Sequence, residues 1–213
     1  MQAIEKIDIS TDWVTLTFMG LLLCVFLLKG FHRTKLKDYF FAFLNNGFVV
    51  SEIEERASLL NRFSIVLFFF TTTTFGLFSF FLLNYFSQEV FLSFAVFWKI
   101  QLLFFGYLIV KRISEKLVVI LFSMHAQTVL FLTGKNIYTH TIALWVFPAL
   151  ILFHFTTIPK KMFLVFFMLL FILKVVLLFV NNKNLILSKL FYIILYICAF
   201  EIAPLFLLFK LIF

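Results

Sequence analysis

The chain has 213 residues, of which 64% are hydrophobic and 13% charged, and its formal net charge is +8. Soluble globular domains are about half apolar and about a quarter charged, so this composition excludes that class. The 36 phenylalanines form an aromatic surface too large for a soluble fold to keep from water. The sequence therefore predicts an integral membrane protein, whose positive charge is sorted by membrane side and does not serve nucleic-acid binding.

The apolar segments predict an all-α polytopic transmembrane helical bundle, a single integral-membrane domain over residues 1–213. A helix needs about 20 apolar residues to cross the hydrocarbon core. About seven segments approach this length, and the predicted spans are 13–28, 63–85, 90–110, 117–132, 138–157, 162–180 and 185–208. A charged hinge at 111–116 and a turn at 134–136 bound the fourth span, for which a re-entrant helix is the alternative.

The polar region 31–62 predicts a cytoplasmic interfacial segment between the first two spans. Leu36, Tyr39 and Phe40 recur at helical spacing, opposite Lys37. This pattern predicts one amphipathic helix lying in the membrane interface. Its basic face would offer a docking surface for anionic lipid headgroups or a protein partner.

Lysine and arginine sort strongly to one side of this predicted topology. With the N-terminus outside, twelve of the 18 basic residues lie on the inner side. The positive-inside rule then predicts an outer N-terminus and an inner C-terminus, and it favours seven spans over six.

Two kinds of residue mark local features inside the spans. The four consecutive threonines at 71–74 predict hydroxyl groups bonded back to carbonyls one turn earlier, with a polar seam to another helix as the alternative. Pro148 and Pro204 interrupt the hydrogen-bond ladder of the fifth and seventh spans, and we expect a helix kink at each.

Two opposite charges lie deep in predicted spans, Lys99 in the third and Glu201 in the seventh. A lone charge in hydrocarbon is costly, so we expect Lys99 and Glu201 to form a buried polar pair that organises the bundle. The functional alternative is a proton or substrate relay. The candidate relay residues are His125, which shares this depth, Gln127 and Tyr107, which could complete the hydrogen bonds, and His154, which is expected nearer the inner surface.

The sequence predicts no metal and no cofactor. His125, His154 and Glu201 are suitable ligand types, but their spacing matches no metal motif. Phosphate-binding loops, dinucleotide turns and nucleophile elbows are also missing from the sequence, so an enzyme is the less favoured class.

The run LYICAFEIAPLFLLFK at 195–210 resembles the C-terminal signature of a family of bacterial multi-pass membrane proteins of unknown function. Glu201 and Pro204 match its Glu-Ile-x-Pro motif position by position. The resemblance implies a protein of the bacterial cytoplasmic (inner) membrane. Because that family has no assigned activity, the resemblance implies none here.

These features favour an accessory or scaffold subunit of a bacterial inner-membrane assembly, whose partners are the lipid bilayer and possible membrane proteins. The alternative is a small-solute or proton-coupled carrier in which Glu201 titrates and Lys99 and His125 form the relay. An intramembrane lipid-modifying enzyme is a weaker alternative, since the sequence offers no nucleophile paired with a base.

Overall fold

The computed structural model describes residues 12–43, 47–48, 51, 62–86, 94–121, 126–156 and 160–181. The helices in these ranges are α1 (Asp12–Phe31), α2 (Arg33–Phe40), α3 (Arg62–Phe86), α4 (Phe94–Leu121), α5 (Ala126–Phe155) and α6 (Lys160–Asn181). The same ranges contain no strand, so the all-helical fold class is confirmed for them.

Four of these helices are long and apolar enough to cross a membrane. Their apolar segments are Asp12–Phe31 in α1, Arg62–Asn84 in α3, Phe94–Glu115 in α4 and Leu132–Phe155 in α5, and α6 carries the shorter stretch Leu164–Leu178. Large apolar side chains on the outer faces are exposed, among them Leu16 and Phe26 of α1. Helices that are apolar on both faces suit a lipid environment, so these segments indicate membrane association.

Helices α3 and α5 form the centre of the bundle. Helix α3 packs against α1, α4 and α5, while α5 also packs against α2 and α6. Trp13 at the start of α1 lies 5.2 Å from Phe80 near the end of α3 and 5.1 Å from Phe97 near the start of α4, measured between ring centroids. These contacts place α1 and α4 antiparallel to α3.

The threonine run behaves as predicted. Each hydroxyl from Thr71 to Thr74 donates to the carbonyl four residues earlier, at distances of 2.7 to 2.9 Å. Thr73 also accepts a hydrogen bond from the Gln101 amide at 3.4 Å, which adds a polar contact between α3 and α4. Gly76 faces this amide, and a Cβ there would meet the amide oxygen, so the end of the Gln101 side chain would have to move.

The seven-span prediction is not supported, because residues on both sides of 134–136 belong to α5 and the charged residues 111–116 belong to α4. The predicted turn and hinge are therefore wrong. The polar residues at 111–116 and 134–136 have the composition of loops, which normally contact water. In the bundle, however, Lys135 forms an ion pair with Glu115, so these parts of the helices can be buried without contacting water. The predicted seventh span, 185–208, lies outside the described residues.

The amphipathic helix of the 31–62 segment is present as α2. Tyr39 is buried against the bundle and Lys37 is exposed, as the pattern predicted. In α5, the α-helix continues on both sides of Pro148, whose side chain is exposed, and the predicted kink there stays a prediction. Pro204 lies outside the described residues.

Candidate functional site

A buried ion pair joins α4 to α5. The Lys135 ammonium donates to a carboxylate oxygen of Glu115 at 2.7 Å, and the two side chains are only 2% and 5% exposed. The Asn136 amide donates to the other carboxylate oxygen at 3.5 Å. Each buried charge depends on its partner to offset its desolvation, so the pair fixes the register of the two helices.

A second set of polar contacts joins α3, α4 and α5 through His140. Arg112 Nη2 lies 3.1 Å from His140 Nε2, and Thr71 Oγ1 lies 2.7 Å from His140 Nδ1. A guanidinium only donates, so Nε2 is the acceptor. The Thr71 hydroxyl donates to the Leu67 carbonyl at 2.7 Å and therefore accepts from Nδ1. These contacts fit the tautomer of His140 with its proton on Nδ1.

Helix α6 reaches the same region through Lys174. Its ammonium donates to the Thr139 hydroxyl at 2.9 Å, and that hydroxyl donates to the Lys135 carbonyl at 2.8 Å. Four helices therefore converge on this part of the bundle. We call it the polar end and define it by Thr71, Arg112, Glu115, Lys135 and His140.

A small pocket of about 30 Å³ opens between these side chains, and its lining also includes Lys111, Asn136 and Thr139. One water molecule needs roughly 10–15 Å³ of such space, whereas small-molecule sites measure about 300–1,000 Å³. The pocket therefore has room for one or two waters, or for the edge of a polar group, and is too small to enclose a solute.

Helix α2 is fastened to the bundle by its last carbonyls. The Thr141 hydroxyl lies 2.9 Å from the Tyr39 carbonyl and 3.0 Å from the carbonyl of Ile137 in its own helix, so the two acceptors share its proton. The Trp145 indole donates to the Phe40 carbonyl at 3.1 Å. The Phe40 and Trp145 rings also stack at 4.6 Å between centroids. The last carbonyls of a helix have no partner within it, so these donors satisfy groups that are otherwise costly to bury.

The family described as a domain of unknown function (DUF4271) matches residues 14–212. The chain belongs to this family. Neither the curated proteins nor the solved structures contain a match to the chain. Membership of DUF4271 confirms the predicted resemblance to a family of unknown function, and it assigns no activity to the polar end.

The structure of this DUF4271 chain separates the described candidate residues. Lys99 is exposed on α4, and Tyr107, about two turns further along the helix, accepts a hydrogen bond from Lys111 at 3.4 Å. His154 lies at the other end of the bundle, where its ring is 5.6 Å from Phe18 and 4.9 Å from Phe155. These surroundings are typical of a histidine that packs among aromatic rings.

The remaining candidates cannot be placed in this way. His125, Glu201 and Pro204 lie outside the described residues, as does the side chain of Gln127. The pairing of Lys99 with Glu201 and the relay through His125 and Gln127 therefore stay predictions.

Sequence reasoning missed the polar end. The predicted topology placed Lys135 in an outer turn and Glu115 in an inner hinge, on opposite sides of the membrane. One signal was available: Glu115 and Lys135 are opposite charges, each flanked by a long apolar stretch. If the two stretches form a hairpin of long helices, the two charges can pair with each other. The pairing then spares both side chains from contact with lipid.

Proposed function

We propose that this chain is an accessory or scaffold subunit of a bacterial inner-membrane assembly, held in one arrangement by its buried polar contacts. The observation that carries the proposal is the Lys135–Glu115 pair, which is almost fully removed from solvent and joins two long apolar helices. Buried ionic contacts specify helix register and orientation in several systems, and a subunit that orders other proteins needs a fixed shape.

The contacts at the polar end suit a fixed connection between helices. The pocket between its side chains has a volume of about 30 Å³, which is too small to enclose a solute at this position. Its ionic side chains are also engaged with one another, as the contact of Arg112 with His140 illustrates. Such a region suits a rigid connection better than a transport path.

The charge distribution supports placing the polar end at the cytoplasmic face. Lys29 lies in the last turn of α1, Arg33 begins α2, Arg62 begins α3, and Lys111 and Arg112 lie in the second half of α4. Basic residues that flank membrane helices accumulate on the cytoplasmic side. We therefore expect the N-terminus outside, and cysteine labelling of Asp12→Cys and Lys37→Cys in intact cells, which should label only the former, tests this.

The proposal includes Lys99 and Glu201 as a second organising pair. Lys99 is exposed in the described part of the chain, within the apolar segment Phe94–Glu115 of α4. An ammonium in that position requires an acidic or polar partner, and Glu201 is the acid predicted to lie at similar depth. If the two pair, Lys99→Met and Glu201→Gln each lower stability and the double variant recovers part of the loss.

The experiment that tests the scaffold role is isolation of the tagged full-length chain from its native membrane under gentle extraction. We expect it to migrate as part of a larger assembly with defined partner proteins, identified by cross-linking. The matched variant is Lys135→Met, which should release those partners because the subunit loses its fixed shape. Recovery of the wild-type chain as an isolated monomer contradicts the role, and a proton flux in vesicles that depends on Glu201 supports the carrier.

A further inference from the structure

One exposed face of α4 carries a charge within an apolar stripe. Lys99 is exposed, and Leu102, Val110 and Ile113, which follow it on the same face, are each more than half exposed. Gly106 lies between them, and a Cβ built there would have no atom of the described chain within 4 Å. Successive members of this stripe are three or four residues apart, so they line one side of the helix. We call these five residues the open face of α4.

Lys99 is distant from other charged residues along the sequence. Nine uncharged residues, 90–98, precede it and eleven, 100–110, follow it. In a helix, runs of this length extend about 14 Å and about 17 Å. An ammonium so far from either end is costly in contact with lipid alone. An acidic or polar group of the protein is therefore a better cover for Lys99 than acyl chains.

The exposed faces of α1 and α6 differ from the open face in this respect. Between the terminal turns of both helices, the described exposed side chains are uncharged, as at Leu23 of α1 and Leu169 of α6. The cation within α6, Lys174, donates to Thr139 of α5. Lipid can cover such faces without burying a charge. Among these three faces, the open face is the one that requires protein.

The early part of α6 lies level with the early part of α4. Phe167 of α6 stacks on Phe78 of α3 at 3.9 Å between ring centroids. Two residues further along α3, Phe80 contacts Phe97 of α4 at 6.0 Å. Phe167 is therefore at about the same height in the bundle as Phe97.

The late part of α6 lies level with the late part of α4. Lys174 donates to Thr139 at 2.9 Å, and Thr139 lines the same pocket as Leu108 and Lys111 of α4. The two helices therefore run in the same direction. It follows that α6 ends at the polar end, and that a span following it runs back along the bundle.

The same levels bring Glu201 to the open face. Helix α6 ends seven residues beyond Lys174, level with about residues 115–118 of α4. The predicted span 185–208 begins after a short turn, and Glu201 lies 16 residues beyond its first residue. A helix over this span would therefore bring Glu201 to the level of about residues 99–102, where the open face begins.

We propose that the C-terminal segment 185–208 packs as a helix antiparallel to α4 and covers the open face, with Glu201 beside Lys99. This segment follows α6 directly, is apolar, and supplies its acid at the matching level, which favours it over a second copy of the chain. The ion pair offsets the desolvation of both charges, and Gly106 leaves room for close approach of the two helices. The inference rests on the Lys99–Glu201 pair of the proposed function, and it adds the surface, the direction and the register of the packing.

The test is disulfide trapping in membranes that contain the full-length protein. In a Cys24→Ser background, Cys198 is the one remaining native cysteine. The register places it level with about residues 102–105 of α4. We expect Leu102→Cys to form a disulfide with Cys198 under mild oxidation, detected as linked peptides by mass spectrometry in protein that migrates as a monomer without reductant. Gly106→Cys provides a second position on the same face.

The matched control is Leu169→Cys on α6, because Leu102 and Leu169 are 57% and 58% exposed. We expect linkage of Cys198 to Leu102→Cys to be at least about tenfold faster than to Leu169→Cys, since packing raises the effective concentration of one thiol near the other. Addition of Glu201→Gln to the Leu102→Cys variant should slow the linkage by about fivefold or more, because it leaves Lys99 without its acid.

Four outcomes overturn the proposal. Linkage that is as fast at Leu169→Cys as at Leu102→Cys means that the segment has no preference for α4. Linkage only between two chains, seen as a dimer without reductant, means that a second copy covers the open face. Absence of linkage at both Leu102→Cys and Gly106→Cys leaves the face to lipid, and an unchanged rate in Glu201→Gln gives Lys99 another partner. None of these outcomes bears on co-isolation with partner proteins, so failure here is distinguishable from failure of the scaffold role.

Discussion

The polar end of the bundle and its opposite end are held together by different kinds of contact. We call the opposite end the aromatic end, and its members are Trp13, Phe18, Phe80, Phe97 and His154. Its rings meet at centroid distances of 5.1 to 6.0 Å, for example between Trp13 and Phe97 or between Phe80 and Phe97. At the polar end the contacts are directional, and the distance from Lys135 Nζ to Glu115 Oε1 is 2.7 Å.

This difference shows which end determines the pairing of the helices. Dispersion between rings is spread over many weak contacts and survives modest repacking. A buried charge keeps its full desolvation cost when its partner is removed. The aromatic end therefore supplies contact area, whereas the polar end selects one register of α3, α4 and α5.

The largest expected effect is that of Lys135→Met, which leaves the buried Glu115 carboxylate without its cation. We expect the free energy of unfolding to fall by about 3–5 kcal/mol, measured by denaturant titration in mixed micelles. The control is Lys37→Met, which removes the same charge from an exposed position of α2 and should leave stability unchanged. Similar stability in the two variants would show that the pair does not hold α4 to α5.

An intermediate effect is expected at His140. His140→Phe keeps an aromatic ring but removes the acceptor of Arg112 and the donor to Thr71, so we expect a loss of about 1–3 kcal/mol in the same titration. His154→Phe is the matched control, because His154 packs among rings at the aromatic end and a phenylalanine preserves those contacts. A greater loss in His154→Phe than in His140→Phe would reverse the assigned roles of the two ends.

The smallest effect is expected for Phe97→Leu at the aromatic end. Phe97 is buried and contacts Trp13 and Phe80. Leucine is apolar and nearly as large, so neighbouring rings can repack and the loss should stay below about 1.5 kcal/mol. A loss as large as that of Lys135→Met would mean that the aromatic end is packed as specifically as the polar end.

Much of the fold was predictable because length and apolarity alone define a membrane helix. The predicted spans 13–28, 63–85 and 162–180 fall within α1, α3 and α6, and the amphipathic pattern around Tyr39 located α2. The division of α5 was wrong, because residues 134–136 have the composition of a turn. A helix tolerates glycine, lysine and asparagine in its interior when neighbouring helices satisfy the polar groups, and that condition cannot be read from local sequence.

The candidate site was not predicted for a related reason. Glu115 and Lys135 are 20 residues apart, and only the hairpin of α4 and α5 brings them together. His140 likewise meets Thr71, 69 residues earlier in the chain. Because the prediction divided α5 into two spans, it placed Glu115 and Lys135 on different sides of the membrane. Lys99 was then chosen as the buried cation because it lies deep within a predicted span.

The most direct test of the structural role of the polar end is a double-mutant cycle with Glu115→Gln, Lys135→Met and the combined variant. Removal of both charges leaves no uncompensated ion, so we expect the double variant to be more stable than Lys135→Met alone, with a coupling energy of about 1–3 kcal/mol. Strictly additive losses, with coupling near zero, would contradict the conclusion that the buried pair joins α4 to α5.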